Sequence, residues 1–235
     1  MKSCASKSAL PKSSVRNVIH QNFDHLTDGD SVYICSSALR EFIVHFFPKI
    51  KARIVLVTGD SDDSVPTNAL YPHEFEEFIQ SPQLIAWFSQ NLVISPKEYP
   101  KLRHLPIGLD YHTLSARDYF WGPKTVPKIQ EQLLFAVSNK ANPFHLRNPI
   151  AYSTFHFELN RGGRQLAYDR IPKELIFYEP TKIPRLHSWK RQTEYAFVVS
   201  PPGEGLDCHR TWEAICLGCI PILISTPLDD LFDGL

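Results

Sequence analysis

The sequence predicts an α/β fold class, built as two Rossmann-like domains facing a cleft. Three observations predict it. Apolar runs of strand type alternate with stretches of helical spacing, beginning "SVYICSS", "ALREFIVHFFPKI", "ARIVLVTGD". Strand, helix and strand in that order specify a parallel βαβ unit. The alternation then breaks at "WGPKTVPKIQEQ", Trp121 to Gln132, where three prolines or glycines interrupt the periodicity, and it restarts beyond. The expected domains are therefore residues 1–125 and 126–235.

Residues 1 to about 30 are polar and turn-rich, and the first dozen read as a loose tail. After the first βαβ unit, "HEFEEFIQ" and "PQLIAWFSQN" read as two short helices, each following a proline or a polar cap. "NLVIS" and "LRHLPIGLDYH" read as short extended segments. In the second half "LLFAVSN" reads as strand, "FHLRNPIAYSTFHF" as helix and "ELIFYEP" as strand. "SWKRQTEYAFVVS" leads into a final strand, glycine loop, helix and strand: "SPPGEGLDCHRTWEAICLGCIPILIS". The chain stops at "PLDDLFDGL" without a helix to close the second half, which reads as a shortened domain.

Composition narrows the function classes. The 25 basic and 25 acidic residues cancel, so no global field would draw the chain to nucleic acid or an anionic membrane, and any anion site is local. No stretch approaches the roughly 20 apolar residues that span a bilayer, and the N-terminus has no apolar run of signal-peptide length. Five unevenly spaced cysteines argue against a disulfide framework. The chain is expected to be cytoplasmic and soluble, without nucleic-acid partners or membrane insertion.

The last segment carries the most chemistry. Gly203 and Gly205 follow a strand end, where side-chain-free backbone can approach a phosphate at a helix N-terminus, although glycines there are also ordinary turn residues. In the helix, Trp212, Ile215, Cys216 and Cys219 form an apolar stripe expected to face the sheet. His209, Arg210 and Glu213 share another face. Arg210 and Glu213 read either as a surface ion pair or as a grip on a diphosphate and on two ribose hydroxyls. Cys216 and Cys219 have Cys-x-x-Cys spacing but no second ligand pair, so they read as buried thiols.

This segment, "GLDCHRTWEAICLGCIPILIS" followed by "PLDDLFDGL", resembles the donor-binding segment of exostosin-type glycosyltransferases, with Arg, two residues, Glu-Ala, then Gly-Cys-Ile-Pro. "VLVTGDSDDSVP" and "LRHLPIGLDYHTL" are similar to stretches of a soluble, exostosin-like subgroup. The resemblance implies a GT-B-like architecture. The first domain would be the acceptor side and the second would hold the nucleotide-sugar. It also implies inverting transfer to a sugar hydroxyl with no cofactor or metal required. Arg210 and Glu213 carry over as diphosphate and ribose contacts, with Ser200, Gly203, Gly205 and His209 as neighbours of the donor. The partners so implied are a UDP-sugar donor and an oligosaccharide or glycoprotein-glycan acceptor. The familiar eukaryotic members are membrane-anchored, whereas a soluble enzyme of this kind would suit a large DNA virus or a microbe.

Other candidates are positional. Asp60, at a strand end in "TGDSDD", is the first candidate for the general base, followed by Asp110 and His112 in "IGLDYH". Asp60 and Asp62 also have the Asp-x-Asp spacing with which GT-A glycosyltransferases hold Mn²⁺, and they equally form an ordinary turn. Arg147, Arg161 and Arg164 read either as solvated surface arginines or as positive charge for donor phosphates or an anionic acceptor, and Ser138 ends an expected strand facing the cleft, also an ordinary turn start. Trp121, Tyr111 and Trp189 are candidates for stacking on sugar rings. Arg147 or Arg164 can also serve a uronate, yet the donor segment shows no dedicated partner for one, so the reading favours a neutral pentose such as xylose. The alternatives are a Mn²⁺-dependent GT-A enzyme, or a nucleotide- or glycan-binding module without catalysis.

Overall fold

The computed structural model of the chain describes Lys2–Ser3, Val18 and residues 22–234. Cys4 and most of the expected N-terminal tail lie outside the described residues, but Lys2–Ser3 form a strand, β1, rather than tail. The fold is α/β with two all-parallel sheets in two compact units. One unit comprises Met1–Ile107 with Gly205–Asp207 and Ser225–Leu235, the other Gly108–Glu204 with Cys208–Ile224. The sequence places the change near residue 125, whereas the units divide at Ile107 and Gly108. No helix among the described residues is long and apolar enough to cross a membrane.

In the first unit, β2 (Ser31–Cys35), β3 (Ile54–Gly59), β4 (Leu84–Ser89) and β5 (Leu102–His104) follow β1 in the order β1-β2-β3-β4-β5. Between β2 and β3 the expected helix is one helical run of mixed pitch. A tight turn at Ser36–Ala38 leads into α1 (Leu39–Glu41), a wide π segment at Phe42–Phe46 and a final tight turn at Phe47–Lys49. Pro48 has no amide to donate, so a regular ladder cannot continue through it. Helix α2 (Pro72–Gln80) opens on a proline, and its Glu74 carboxylate accepts the Tyr71 amide at 3.0 Å.

"PQLIAWFSQN" is where the sequence misleads: it forms β4, not a helix. A run of adjacent apolar residues suits a strand buried on both faces as well as it suits a helix. β4 lies between β3 and β5, and Trp87 at its centre is fully buried. The Trp87 indole donates to Thr58 Oγ1 at 2.9 Å and Thr58 donates on to Ser89 Oγ at 2.8 Å, so the polar atoms in this core have partners. Phe78 meets Trp87 edge to face at 5.3 Å. "NLVIS" contributes a single bridge between Leu92 and Val65, and the extended part of "LRHLPIGLDYH" ends with β5.

The second unit begins with α3 (His112–Ala116) and α4 (Pro127–Ser138). It continues through β6 (Asn148–Ser153), α5 (Arg164–Arg170), β7 (Ile176–Tyr178), α6 (Arg185–Gln192), β8 (Tyr195–Val199), α7 (His209–Cys216) and β9 (Ile220–Ile222). Two expectations are exchanged here. "LLFAVSN" belongs to α4, which buries Gln130, Leu134 and Val137 at i, i+4 and i+7 and leaves Leu133 and Phe135 exposed. "FHLRNPIAYSTFHF" is centred on β6, flanked by short tight turns at Phe144–Leu146 and Phe155–Glu158. Pro149 lies where the pairing of β6 with β8 shifts register, the position a strand interior allows a proline.

The strand order of this sheet is β7-β6-β8-β9. The chain lays β7 on one side of β6 and then crosses to lay β8 on the other. Both faces are covered as a result: Tyr152 and Val198 pack with α4, α6 and α7, while Ala151 and Val199 pack with Phe155 and α5. In parallel sheets such a reversal opens a crevice at the carboxyl ends of the two diverging strands, here β6 and β8. The first sheet runs sequentially and has no reversal among its described strands.

Candidate functional site

The carboxyl end of β8 runs into Ser200 and the loop "SPPGE", and α7 starts at His209, so the start of the loop and the helix N-terminus both lie at the reversal point. Ser200 is buried, its hydroxyl paired with that of Thr211 at 2.8 Å and its amide donating to Ile222 O at 2.9 Å. The face of α7 turned inward is not the expected one. Thr211, Ala214 and Leu217 are buried, Trp212 and Ile215 are half-buried, and Cys216 is exposed. Arg210, Glu213, Ala214 and Leu217 recur at i, i+3, i+4 and i+7, which carries the two charged residues inward with the apolar ones.

Two arginines converge on the loop. Arg210 Nη1 donates to Pro201 O at 3.3 Å, and Arg164 Nε donates to the next carbonyl, Pro202 O, at 3.3 Å. Burial lowers the pKa of Arg210, an effect reinforced by neighbouring Arg164 and opposed by Cys208 and Glu213. Burial also lowers that of Arg164. Two partly desolvated cations side by side are costly; the Glu158 carboxylate lies 3.9 Å from Arg164 Nη1, at the limit of an ion pair, and a closer anion would lower that cost. Glycines make the close packing possible. Gly162 has φ +48°, and a Cβ there would lie 2.7 Å from Pro202 O; a Cβ on Gly203 would lie 3.3 Å from Arg164 Nη2.

Beside these lies a polar cluster with Arg185 at its centre. Its Nη1 donates to the Asp110 carbonyl at 2.6 Å and its Nη2 to the Asp110 carboxylate at 2.9 Å. Its Nε lies 3.6 Å from Glu213, and its guanidinium lies over the rings of Trp121 and Trp189. Asp110 also accepts the Thr113 amide at 3.0 Å and lies 2.9 Å from His112 Nδ1. Burial acts to raise its pKa, but His112, the Thr113 amide and Arg185 together outweigh burial and hold the carboxyl well below the usual range. Glu213 goes the other way: burial raises it, against Arg185 and the nearby Trp189 indole. That indole N–H closes no hydrogen bond of normal geometry.

The Asp110–His112 pair has the form of a base with its orienting carboxylate. Asp110 takes the Nδ1 side of the ring, and the His112 side chain is 56% exposed while that of Asp110 is 7% exposed. His209 joins them: its Nδ1 faces Gly108 O at 2.7 Å, and its ring centre is 5.9 Å from that of His112.

The remaining candidates lie elsewhere. Ser138 donates to Cys216 O at 2.9 Å and Arg147 Nη1 to Gly218 O at 2.9 Å, so both serve the C-terminal end of α7, opposite the arginine pair. Arg161 is paired with Glu158 and Glu204. Cys219 is a buried thiol as expected, but Cys216 is not buried. Asp60, Asp62 and Gly205 belong to the first unit. Asp60 has φ +66°, and its amide donates to Gln90 Oε1 at 2.9 Å. A Cβ on Gly205 would lie 3.3 Å from Asp62 Oδ1. Arg185 is the residue that sequence reasoning missed; a basic residue one position after Pro184 at a helix start is no signal of a cluster with Asp110, distant in the chain. No protein-family model matches the chain, and no curated protein matches it.

Proposed function

We propose that the chain is an inverting glycosyltransferase of GT-B type. It moves a sugar from a UDP-sugar to a hydroxyl of a glycan acceptor, with a neutral pentose such as xylose the favoured donor sugar. The observation that carries this reading is the pair Arg164 and Arg210, partly desolvated and turned on consecutive carbonyls of the glycine loop at the start of α7. A diphosphate gives two such cations a shared counter-ion, and the guanidinium fork suits its oxygens. The helix N-terminus adds its positive end.

In the reaction, a base takes the proton of the acceptor hydroxyl as its oxygen bonds to the anomeric carbon. The bond from that carbon to the diphosphate oxygen breaks, and UDP leaves with its new charge offset by Arg164 and Arg210. The Asp110–His112 geometry supports His112 as the base, with Asp110 as the residue that positions it. Asp60, the first candidate from the sequence, is the alternative base. Glu213, beside Arg185, is the proposed ribose contact.

The test is thermal stabilisation by UDP in EDTA, followed by release of UDP from a panel of UDP-sugars. Arg210→Ala is expected to weaken UDP binding about ten- to a hundredfold, the loss of one charge-assisted contact. His112→Ala is expected to leave UDP binding intact and slow transfer by about 10²–10⁴-fold. UDP stabilisation that Arg210→Ala does not alter would sink the donor site. Transfer lost in Asp60→Asn but kept in His112→Ala would move the base to Asp60.

A further inference from the structure

Asp110, His112 and His209 place one potential ligand atom each within 4.8 Å of one another. We propose that these three residues form a binding site for a divalent transition metal of the Zn²⁺ class. Two imidazoles and one carboxylate suit Zn²⁺, Co²⁺ or Fe²⁺ and not Mg²⁺ or Ca²⁺, which take oxygen ligands.

Each ligand has an outer partner that prepares it. Gly108 O can only accept, so His209 Nδ1 carries the proton in their 2.7 Å contact, and Nε2 keeps its lone pair for a metal. Asp110 is oriented by the Arg185 guanidinium and the Thr113 amide, which leaves one carboxylate able to turn an oxygen toward the imidazoles. Arg185 is a cation close by, but its charge is already offset by the Asp110 carboxylate at 2.9 Å. A tetrahedral shell with bonds of about 2.0–2.1 Å needs a tighter arrangement than the one observed. His112, 56% exposed, is the member able to turn inward and close it. Three protein ligands leave a fourth position for water, the form of an open site.

Metal binding itself does not depend on the proposed glycosyl transfer. One consequence does: metal held by His112 would remove the proposed base, so occupancy would inhibit transfer.

The experiment is a titration of the EDTA-treated, desalted protein with Co²⁺, followed by visible absorption, and with Zn²⁺, followed by calorimetry. One equivalent of each is expected to bind, with the intense absorption of Co²⁺ in a four- or five-coordinate site. His112→Ala, at an exposed position, and His209→Ala are each expected to weaken binding about tenfold or more. Cys216→Ser, which removes an exposed thiol, is expected to change nothing. The proposal is overturned if neither metal binds, or if binding survives both histidine substitutions. Metal uptake without inhibition would support the site and remove His112 as the base.

Discussion

Arg185 holds Asp110 at two points, through the backbone carbonyl at 2.6 Å and through the carboxylate at 2.9 Å, with both side chains nearly buried. The first contact fixes where the chain enters α3, and the second keeps a charge inside the protein. Removing the carboxylate therefore disturbs fold and chemistry together.

Asp110→Asn is expected to lose about 3–5 kcal/mol, because Arg185 would be left without its closest counter-charge. The pH dependence follows from the depressed pKa of Asp110, whose ordinary value is 3.8. A group whose pKa is lower when folded stabilises the fold above its unfolded pKa and loses that contribution as pH falls. Urea denaturation of the parent should show stability falling with acidity below about pH 4, and the variant should show less of that fall.

Arg210→Met should separate binding from stability. Replacing a partly desolvated, imperfectly paired cation with an apolar side chain of similar length is neutral or stabilising in comparable settings. The melting temperature is expected to hold or rise while UDP stabilisation falls. A variant that melts earlier and still binds UDP would make Arg210 a structural residue.

Gly162→Ala tests the packing beneath the loop. The left-handed backbone alone costs a side-chain-bearing residue about 1–2 kcal/mol, and the added Cβ would also press on Pro202 O. A lower melting temperature and weaker UDP binding are expected together, because Pro202 is the carbonyl that Arg164 grips. Unchanged UDP affinity would show that the loop's position does not govern donor binding.

Glu213→Gln should raise stability at neutral pH. Burial lifts the Glu213 pKa above its ordinary value of 4.5, so folding penalises the charged form, and the penalty grows as pH rises through the folded pKa. The neutral amide removes that dependence. Melting curves across pH 4–8 for parent and variant would diverge toward the alkaline end; parallel curves would mean that Arg185 compensates the charge in full.

The cysteines give a structural check. Cys219 is buried, which raises its pKa to about 11 against the opposing pull of Arg147, whereas Cys216 is exposed. A brief alkylation at pH 8, mapped by mass spectrometry, is expected to modify Cys216 well before Cys219.

What the sequence could show depended on whether local pattern or long-range pairing decided each element. β2, β3, α2, β8, α7 and β9 were legible, because each has a distinctive period, a cap or a flanking glycine. β4 and α4 were not: "LIAWF" and "LLFAV" are runs of the same kind, and only their neighbours make one a strand and the other a helix. In α7 the expected stripe followed the bulky side chains Trp212 and Ile215. The structure instead buries the small Thr211 and Ala214, where helix and sheet approach closely. That difference brings Arg210 and Glu213 inward. Asp110 and His112, two apart in the chain, could be read as a pair; Arg185 and His209 join them only through tertiary structure.

The order β7-β6-β8-β9 has a consequence for how the arginine pair comes into being. β6 and β8 are partners in the sheet, yet β7, α5 and α6 lie between them in the chain, so their pairing closes a long loop and cannot form early from local contacts. Arg164 reaches the loop from that intervening segment, and Arg210 from the helix after β8. The proposed anion grip is thus assembled only once β6 and β8 have paired. A ligand held there would slow opening of the second unit, so segments of that unit far from the ligand would share its protection from proteases.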